Sequence, residues 1–246
     1  MPTNGTNGTG GTGGTGAAFL GIVMLDTRFP RPAGDIGSPL TFERAGIPAR
    51  FKTVSGASPK RVVQEADPAL LQPFIDAAAS LVEDGACMVS TSCGFLAAYQ
   101  SQLSDAVRVP VLTSSLLQCA GFRRPGIVTF DASALSAGIL TAAAVPAGTP
   151  IEGIEPSTEF YRKIIGNEPT LDVLEAEKNV VDAALRLVGK HPDVEDIVLE
   201  CTNMPPYRAA VAKATGRKVH DLETLLIAAW DRRTRCLAPA AVRGRS

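Results

Sequence analysis

An internal repeat runs through most of the chain and constrains its fold more than any other feature. Residues 21–26 (GIVMLD) correspond to residues 126–131 (GIVTFD), and residues 76–82 (DAAASLV) correspond to residues 182–188 (DAALRLV). The two offsets are 105 and 106 residues, so the matches keep both their order and their spacing. The sequence therefore predicts that one structural unit occurs twice in the chain.

Each repeated unit alternates short apolar runs with amphipathic segments. Runs that are apolar throughout are typical of strands covered on both faces. They occupy residues 21–25, 88–89, 109–112, 127–130 and 197–199. Apolar residues at helical spacing lie between two of these runs. This alternation predicts an α/β fold with two pseudo-symmetric, parallel-sheet (Rossmann-like) units and a site in the cleft between them.

The repeat also suggests where the domains begin and end. We expect a first α/β unit at residues 17–117, a second at residues 122–220, and residues 221–235 packing back on the first unit. Residues 1–16 are almost entirely Gly, Thr and Asn, which bury little, so we expect a disordered tail there. Residues 236–246 are predicted to form a basic tail.

Composition narrows the classes of function. The net charge of −1 gives no electrostatic reason to expect nucleic-acid or membrane partners. The longest apolar run, residues 17–25, is too short to span a bilayer and lacks the flanks of a signal peptide. Five cysteines, two histidines and no CxxC pattern argue against disulfides and metal sites. We expect a cytoplasmic protein with reduced thiols and no metal.

Two cysteines occupy equivalent positions in the repeat. Cys93 and Cys201 are 108 residues apart, and each lies where a predicted strand leads into a helix. A helix N-terminus lowers the pKa of a thiol, and its free N–H groups can bind a carboxylate or an enolate. Free cysteines usually just pack in the core, but the matched positions and polar neighbours favour an acid–base pair. We predict that these thiols act at the α-carbon of a small carboxylate.

Polar residues beside the thiols and after the first strand are candidate substrate ligands. The predicted substrate-binding residues are Asp26, Thr27, Arg28, Ser92, Gly94, Thr202 and Asn203. Arg28 is suited to grip a carboxylate, although it equally fits a surface ion network with Arg31 and Asp35. Ser114 and His220, at the ends of other predicted strands, are further candidates. We expect a structural role for His220. A position close to Cys201 would instead let the histidine tune the pKa of that thiol.

At these residues the chain resembles the Asp/Glu/hydantoin racemase superfamily, over roughly residues 20–230. Residues 199–205 (LECTNMP) are similar to the Cys-Thr loop of that superfamily. Residues 91–95 (TSCGF) match its first cysteine loop, where the amino-acid racemases usually carry Cys-Asn-Thr. The resemblance implies a cofactor-independent and commonly dimeric enzyme.

The resulting hypothesis is a cofactor-independent racemase that acts on a small carboxylate, most simply aspartate or glutamate. Three alternatives within the superfamily stay open. They are a hydantoin racemase, a maleate-type isomerase that uses one thiol as a nucleophile, and an arylmalonate-type decarboxylase, a class that keeps only the second thiol. A non-catalytic, two-lobed small-molecule-binding protein is the alternative from another class, because it would use the same cleft.

Overall fold

Two four-stranded parallel sheets form the framework of the molecule. The computed structural model describes residues 18–237. The first sheet has the order β2-β1-β3-β4 and the second the order β6-β5-β7-β8, and all neighbouring strands are parallel. The strands are β1 (Phe19–Met24), β2 (Ala49–Thr53), β3 (Ala86–Thr91), β4 (Val111–Leu112), β5 (Pro125–Thr129), β6 (Ile151–Gly153), β7 (Asp196–Leu199) and β8 (Lys218–His220).

The order of strands is the same in both sheets, which is the structural form of the sequence repeat. The repeated GIV segments lie in β1 and β5, each of which has a neighbouring strand on both sides. Both strands are buried along their whole length. The predicted fold class is therefore confirmed.

Helices cover the sheets. They are α1 (Pro39–Arg44), α2 (Pro59–Val63), α3 (Leu71–Glu83), α4 (Gln100–Ala106), α5 (Ala137–Ala142), α6 (Glu159–Ile165), α7 (Val173–Lys190), α8 (Arg208–Thr215) and α9 (Leu222–Leu237). The second repeated segment lies in α3 and α7. Pro73 lies in the first turn of α3, where a backbone N–H needs no intrahelical partner. Gly85 follows that helix with a φ of 102°, a conformation that favours glycine.

The hydrophobic core has two parts. The larger cluster includes residues of both sheets, among them Val23, Val89, Val128 and Val198. In the smaller cluster, Leu222, Leu226 and Trp230 of α9 pack with Leu20 and Ile22 of β1. Helix α9 thus covers one face of the first sheet.

The predicted tails lie mostly outside the part of the chain that the structure describes. Residues 1–16 and residues 238–246 are outside the described range. The backbone of residues 236 and 237 forms the end of α9. Within residues 18–237, no helix is long and apolar enough to cross a bilayer. No group of three or more His, Cys, Asp or Glu side chains in that range is arranged to hold a metal ion.

Candidate active site

The two cysteines of the repeat meet in one pocket, which we call the thiol pocket. Cys93 follows β3 and Cys201 follows β7, so both lie at carboxyl ends of parallel strands. The space at the pocket, including its opening to solvent, is about 330 Å³. Its polar lining consists of Ser92, Cys93, Gly94, Glu200, Cys201, Thr202 and Asn203. Its apolar lining consists of Leu25, Phe29, Pro59, Val63, Phe95, Phe130 and Ile164.

Direct hydrogen bonds join the two cysteine loops. The Thr202 hydroxyl donates to the main-chain oxygen of Ser92 at 2.6 Å. The Ser92 hydroxyl accepts from the backbone N–H of Leu25 at 2.9 Å. The backbone N–H of Ile36 donates to the main-chain oxygen of Thr202 at 3.1 Å. These bonds fix the loops that carry the thiols against each other and against the loop after β1.

The electrostatics of the thiols differ from the expectation based on the sequence. Burial, and secondarily the nearby Glu200 carboxyl, raises the pKa of Cys93 to about 12. The same two causes raise the pKa of Cys201 well above its ordinary value. Backbone N–H groups of Phe95 and Leu96 act in the opposite direction at Cys93, as does that of Asn203 at Cys201. The predicted lowering is wrong, because desolvation outweighs the helix N-terminus, and both thiols are neutral at pH 7.

Glu200 was not among the residues predicted from sequence, and it is fully buried in the thiol pocket. Its Oε2 accepts hydrogen bonds from the Thr129 hydroxyl at 2.8 Å and the Phe130 N–H at 3.3 Å. Its Oε1 has no hydrogen-bond partner among the described residues. Burial raises the pKa of Glu200 to about 7. The available signal was a charged residue directly after the apolar run of residues 197–199, at the carboxyl end of a predicted strand. Burial of a Glu there is unusual.

Gly94 has a steric role beside this carboxyl group. A Cβ atom added to Gly94 would lie within 3.0 Å of both Oε1 and the main-chain oxygen of Glu200. Real Cβ contacts are essentially never so short. The predicted substrate-binding role of Gly94 stays a prediction, but the structure shows why position 94 has no side chain.

A chain of hydrogen bonds holds Asn203 beside the second thiol. The Asn203 amide donates to Asp35 Oδ2 at 2.6 Å, and Asp35 Oδ1 pairs with Arg31 at 2.6 Å. Arg31 also donates to the Thr27 hydroxyl at 2.8 Å. At the other end, the Cys201 thiol donates to Asn203 Oδ1 at 3.5 Å. Thr27 therefore supports the site through Arg31 and does not itself line the thiol pocket.

The structure does not bring Asp26 and Arg28 to the thiols. Both line a separate polar pocket, together with Gly56, Ser58, Gly166 and Asn167. The Asn167 side chain accepts from the Arg28 backbone N–H at 2.6 Å and donates to the main-chain oxygen of Asp26 at 3.2 Å. The predicted contact of these two residues with substrate at the thiols is corrected, because their polar groups bond to Gly56 and Asn167 at the separate pocket.

Ser114 and His220 also lie outside the thiol pocket. The buried hydroxyl of Ser114 accepts from the Leu116 N–H at 3.2 Å. His220 bonds to Asp196 at 2.8 Å, and its ring stacks on Phe122 at a centroid distance of 4.2 Å. These contacts give both residues structural partners and do not place either beside Cys201.

The charge of the pocket lining limits what it can bind. Among its fourteen lining residues, all within the described range, there is no Lys, Arg or His. Arg31 lies outside the lining and is paired with the buried Asp35. Two thiols and one carboxyl can exchange protons with a ligand. A ligand with two carboxylates would find no positively charged side chain on the lining. A ligand with one carboxylate and one cationic group could place the cation beside the Glu200 carboxyl group.

Solved structures of the Asp/Glu racemase superfamily share this fold. Unliganded arylmalonate decarboxylase aligns with a TM-score of 0.53 and 19% identity, over 91% of this chain and 94% of that chain. Glutamate racemase from Thermus thermophilus aligns with a TM-score of 0.56 and 20% identity, over 93% and 85%. Aspartate racemase from Picrophilus torridus aligns with a TM-score of 0.55 and 14% identity, over 89% and 95%. The resemblance to this superfamily is confirmed at the level of the fold.

Sequence relatives point to a different reaction. No protein-family model matches the chain. A dimethylsulfoniopropionate lyase of Durusdinium sp. clade D is 30% identical over 220 residues, which cover 83% of this chain and 71% of the relative. Dimethylsulfoniopropionate lyases 3 and 7 of Emiliania huxleyi (strain CCMP1516) are each 26% identical, over 82% and 83% of this chain. The matches span 56% and 64% of the lengths of these two relatives, so the chain covers less than two thirds of either.

These relatives overturn the predicted amino-acid racemase. A shared fold does not determine the reaction, because function depends on the site that the fold carries. An acidic amino acid has two carboxylates, and the described lining of the thiol pocket offers neither a cationic side chain. The relatives and the structural neighbours are all enzymes, so the coarser expectation of an enzyme stands. The chain belongs to the family of dimethylsulfoniopropionate lyases.

Proposed function

We propose that this protein is a lyase that removes an α-proton from dimethylsulfoniopropionate and releases dimethyl sulfide and acrylate. The proposed substrate is that of its sequence relatives, which are dimethylsulfoniopropionate lyases. The observation that carries the proposal is the composition of the thiol pocket. Two thiols and one carboxyl lie against an apolar wall, with no Lys, Arg or His among the described lining residues.

The two ends of the substrate suit the two sides of this pocket. Dimethylsulfoniopropionate is a zwitterion, with a carboxylate at one end and a methylated sulfonium at the other. Phe29, Phe95 and Phe130 line the apolar side, and aromatic rings attract methylated cations. The strand-end loops of Cys93 and Cys201 provide backbone N–H groups for the carboxylate. This orientation brings the α-carbon, which is bonded to the carboxylate, to the thiols.

The proposed reaction is a β-elimination that starts with removal of a proton from the α-carbon. A thiolate takes one α-proton, and the C–H electrons become the carbon–carbon double bond of acrylate. The bond from the β-carbon to sulfur breaks, and its electron pair stays on sulfur, which leaves as neutral dimethyl sulfide. Negative charge that develops on the substrate carboxylate is stabilised by hydrogen-bond donors already in place.

Substrate binding supplies the base that this reaction needs. Burial keeps both thiols neutral in the protein alone, but a nearby positive charge lowers the pKa of a thiol. The sulfonium group therefore favours the thiolate in the complex. Burial and Glu200 disfavour both thiolates, but two backbone N–H groups and the charge of Arg31 favour that of Cys93, whereas one backbone N–H favours that of Cys201 and Asp35 disfavours it. Cys93 is therefore the better base. Cys201 then serves as the protonated partner.

The direct test measures both products. Purified protein is incubated with dimethylsulfoniopropionate, dimethyl sulfide is quantified by gas chromatography and acrylate by liquid chromatography. We expect equimolar products, and a rate about 10² to 10⁴ lower in Cys93→Ser and in Cys201→Ser. Cys87→Ser is the matched control, because Cys87 is partly exposed and does not line the thiol pocket. Absence of both products with folded wild type would overturn the proposal.

A further inference from the structure

A fully buried carboxyl group faces the thiol pocket without a counter-charge. Glu200 has 0% of its surface exposed, and within residues 18–237 no Lys, Arg or His forms an ion pair with it. Its Oε1 is also without a hydrogen-bond partner in that range. Buried polar atoms in folded proteins are nearly always hydrogen-bonded. The free oxygen therefore points to a ligand of the pocket.

The surrounding residues hold this oxygen in place. Thr129 and Phe130 bind the other carboxyl oxygen, so the group cannot turn freely. The absence of a side chain at Gly94 leaves the space that Oε1 needs on the side of the Cys93 loop. The Phe130 ring lines the same pocket and stacks on Tyr161 at a centroid distance of 4.6 Å, which fixes its orientation. A rigid carboxyl oxygen and a rigid aromatic ring thus border one space.

We propose that Glu200 is the residue that selects substrates by their positive charge, with its free oxygen facing the onium group. On this view the thiol pocket prefers a sulfonium or quaternary ammonium carboxylate to a carboxylate of the same shape whose other end carries no charge. The inference rests on the proposed function for the chemistry of the substrate. It goes further by naming the residue that distinguishes a charged substrate from an uncharged one.

The energetics favour such a role. A buried carboxylate with no counter-charge is costly, and it becomes stable if it takes up a proton or if a cation binds beside it. The aromatic side of the pocket attracts an onium group, but the contribution of a ring alone is modest. A carboxylate in a site shielded from water interacts with a cation much more strongly than in bulk solvent.

The preference for a cation should also depend on pH. Burial raises the pKa of Glu200 to about 7, so a proton and a cation compete for the group near neutrality. The titratable groups that face it are the thiols of Cys93 and Cys201, which are neutral in this range in the protein without ligand. The Arg31–Asp35 ion pair is the nearest pair of charged side chains, and it bonds to Asn203 of the Cys201 loop. Affinity for an onium carboxylate should therefore rise between pH 6 and pH 8, as expected for a group with a pKa of about 7.

The test uses two probes of the same shape that differ in charge. One is 3-(trimethylammonio)propanoate, and the other is 4,4-dimethylpentanoate, in which carbon replaces the charged nitrogen. Affinities of the full chain for both are measured by isothermal titration calorimetry at pH 8. We expect wild type to prefer the cationic probe by about tenfold or more, the usual size of a charge-assisted contact. In Glu200→Gln the ratio should fall towards one, because the cationic group loses its counter-charge and the anionic 4,4-dimethylpentanoate no longer faces a second carboxylate.

A second variant separates charge recognition from general disruption. Thr129→Val removes one hydrogen bond to Oε2 and leaves the carboxyl group in place. We expect this variant to retain the preference for the cationic probe. If wild type does not prefer the cationic probe, or if Glu200→Gln keeps the preference of wild type, the proposal is overturned.

The outcome is distinguishable from that of the proposed reaction. Release of dimethyl sulfide together with an unchanged probe preference in Glu200→Gln would overturn the role of Glu200 and leave the lyase intact. A probe preference that depends on Glu200, without release of dimethyl sulfide, would overturn the lyase and leave the charge selection intact.

Discussion

Gly94 and Glu200 fit together so closely that any side chain at position 94 would strike the Glu200 carboxyl group. A Cβ atom on Gly94 would come within 3.0 Å of Oε1 and of the main-chain oxygen of Glu200. Gly94 follows β3 of the first sheet, and Glu200 follows β7 of the second. The contact therefore joins the two repeated units at the thiol pocket, and the geometry of the site depends on how closely they approach.

Substitution of Gly94 tests this fit. Gly94→Ala forces the Cys93 loop and the Glu200 main chain apart, and a displacement of about 1 Å in a catalytic site can cost about 10²-fold in rate. We expect a loss of at least that size in kcat/KM for release of dimethyl sulfide. Gly121→Ala is the control, because a Cβ atom there meets nothing within 4 Å. Equal activity of the two variants would show that the fit is not needed.

The buried carboxyl of Glu200 should make stability depend on pH. Its pKa rises from an ordinary 4.5 to about 7 on folding, so the folded protein binds this proton more tightly than the unfolded chain. The contribution to the free energy of unfolding is fully present below pH 4.5 and is lost as pH rises to 7, by about 3 kcal/mol.

Urea denaturation of wild type and Glu200→Gln at pH 4.5 and pH 8 measures this contribution. Gln resembles the protonated carboxyl and does not titrate. Stability of wild type relative to the variant should therefore decrease with rising pH. A difference between the two proteins that stays constant across this range would contradict the assigned pKa shift.

Asp35 should contribute strongly to stability, because it is buried and pairs with both Arg31 and Asn203. Asp35→Ala leaves the largely buried Arg31 guanidinium without its partner, which typically costs about 3 to 5 kcal/mol. We expect a decrease of this size in the free energy of unfolding, measured with urea. The exposed pair Lys60–Glu65 is the control. Its removal by Lys60→Ala should cost less than about 1 kcal/mol, and similar costs for both variants would argue against the buried network.

Arg28 offers a test of where the substrate carboxylate binds. Its side chain lines the separate polar pocket with Asp26 and Asn167, and not the thiol pocket. We therefore expect Arg28→Ala to leave the KM for dimethylsulfoniopropionate nearly unchanged. A rise of about tenfold or more, which corresponds to the loss of a charge-assisted hydrogen bond, would place Arg28 at the substrate after all.

Much of the site could be predicted from sequence because of the repeat. Carboxyl ends of parallel strands gather at one edge of a sheet, so matched cysteines after matched strands indicated a shared pocket. The position of the cysteines also predicted which polar neighbours line the pocket, because each neighbour is within two residues of a thiol. These neighbours are Ser92, Gly94, Thr202 and Asn203. These inferences needed only strand positions and direction.

The rest depends on three-dimensional packing that periodicity does not encode. Asp26 follows a correctly predicted strand, but its carboxylate accepts from the Gly56 N–H, away from the thiols. Glu200 resembles a surface residue in the sequence, and its burial arises because the two units close around it. The same closure raises the thiol pKa values that the helix N-termini alone would lower. The reaction itself depends on the leaving group of the substrate, which no strand pattern specifies.

The most direct measurement follows an isotopic label through the reaction. Wild type is incubated with dimethylsulfoniopropionate that carries two deuterons at the α-carbon, and the products are analysed by NMR and mass spectrometry. Proton removal by a thiol of the pocket predicts dimethyl sulfide and an equal amount of acrylate with no more than one deuteron, at the α-carbon. Formation of 3-hydroxypropionate with both deuterons retained, or absence of any product from folded protein, would contradict the account.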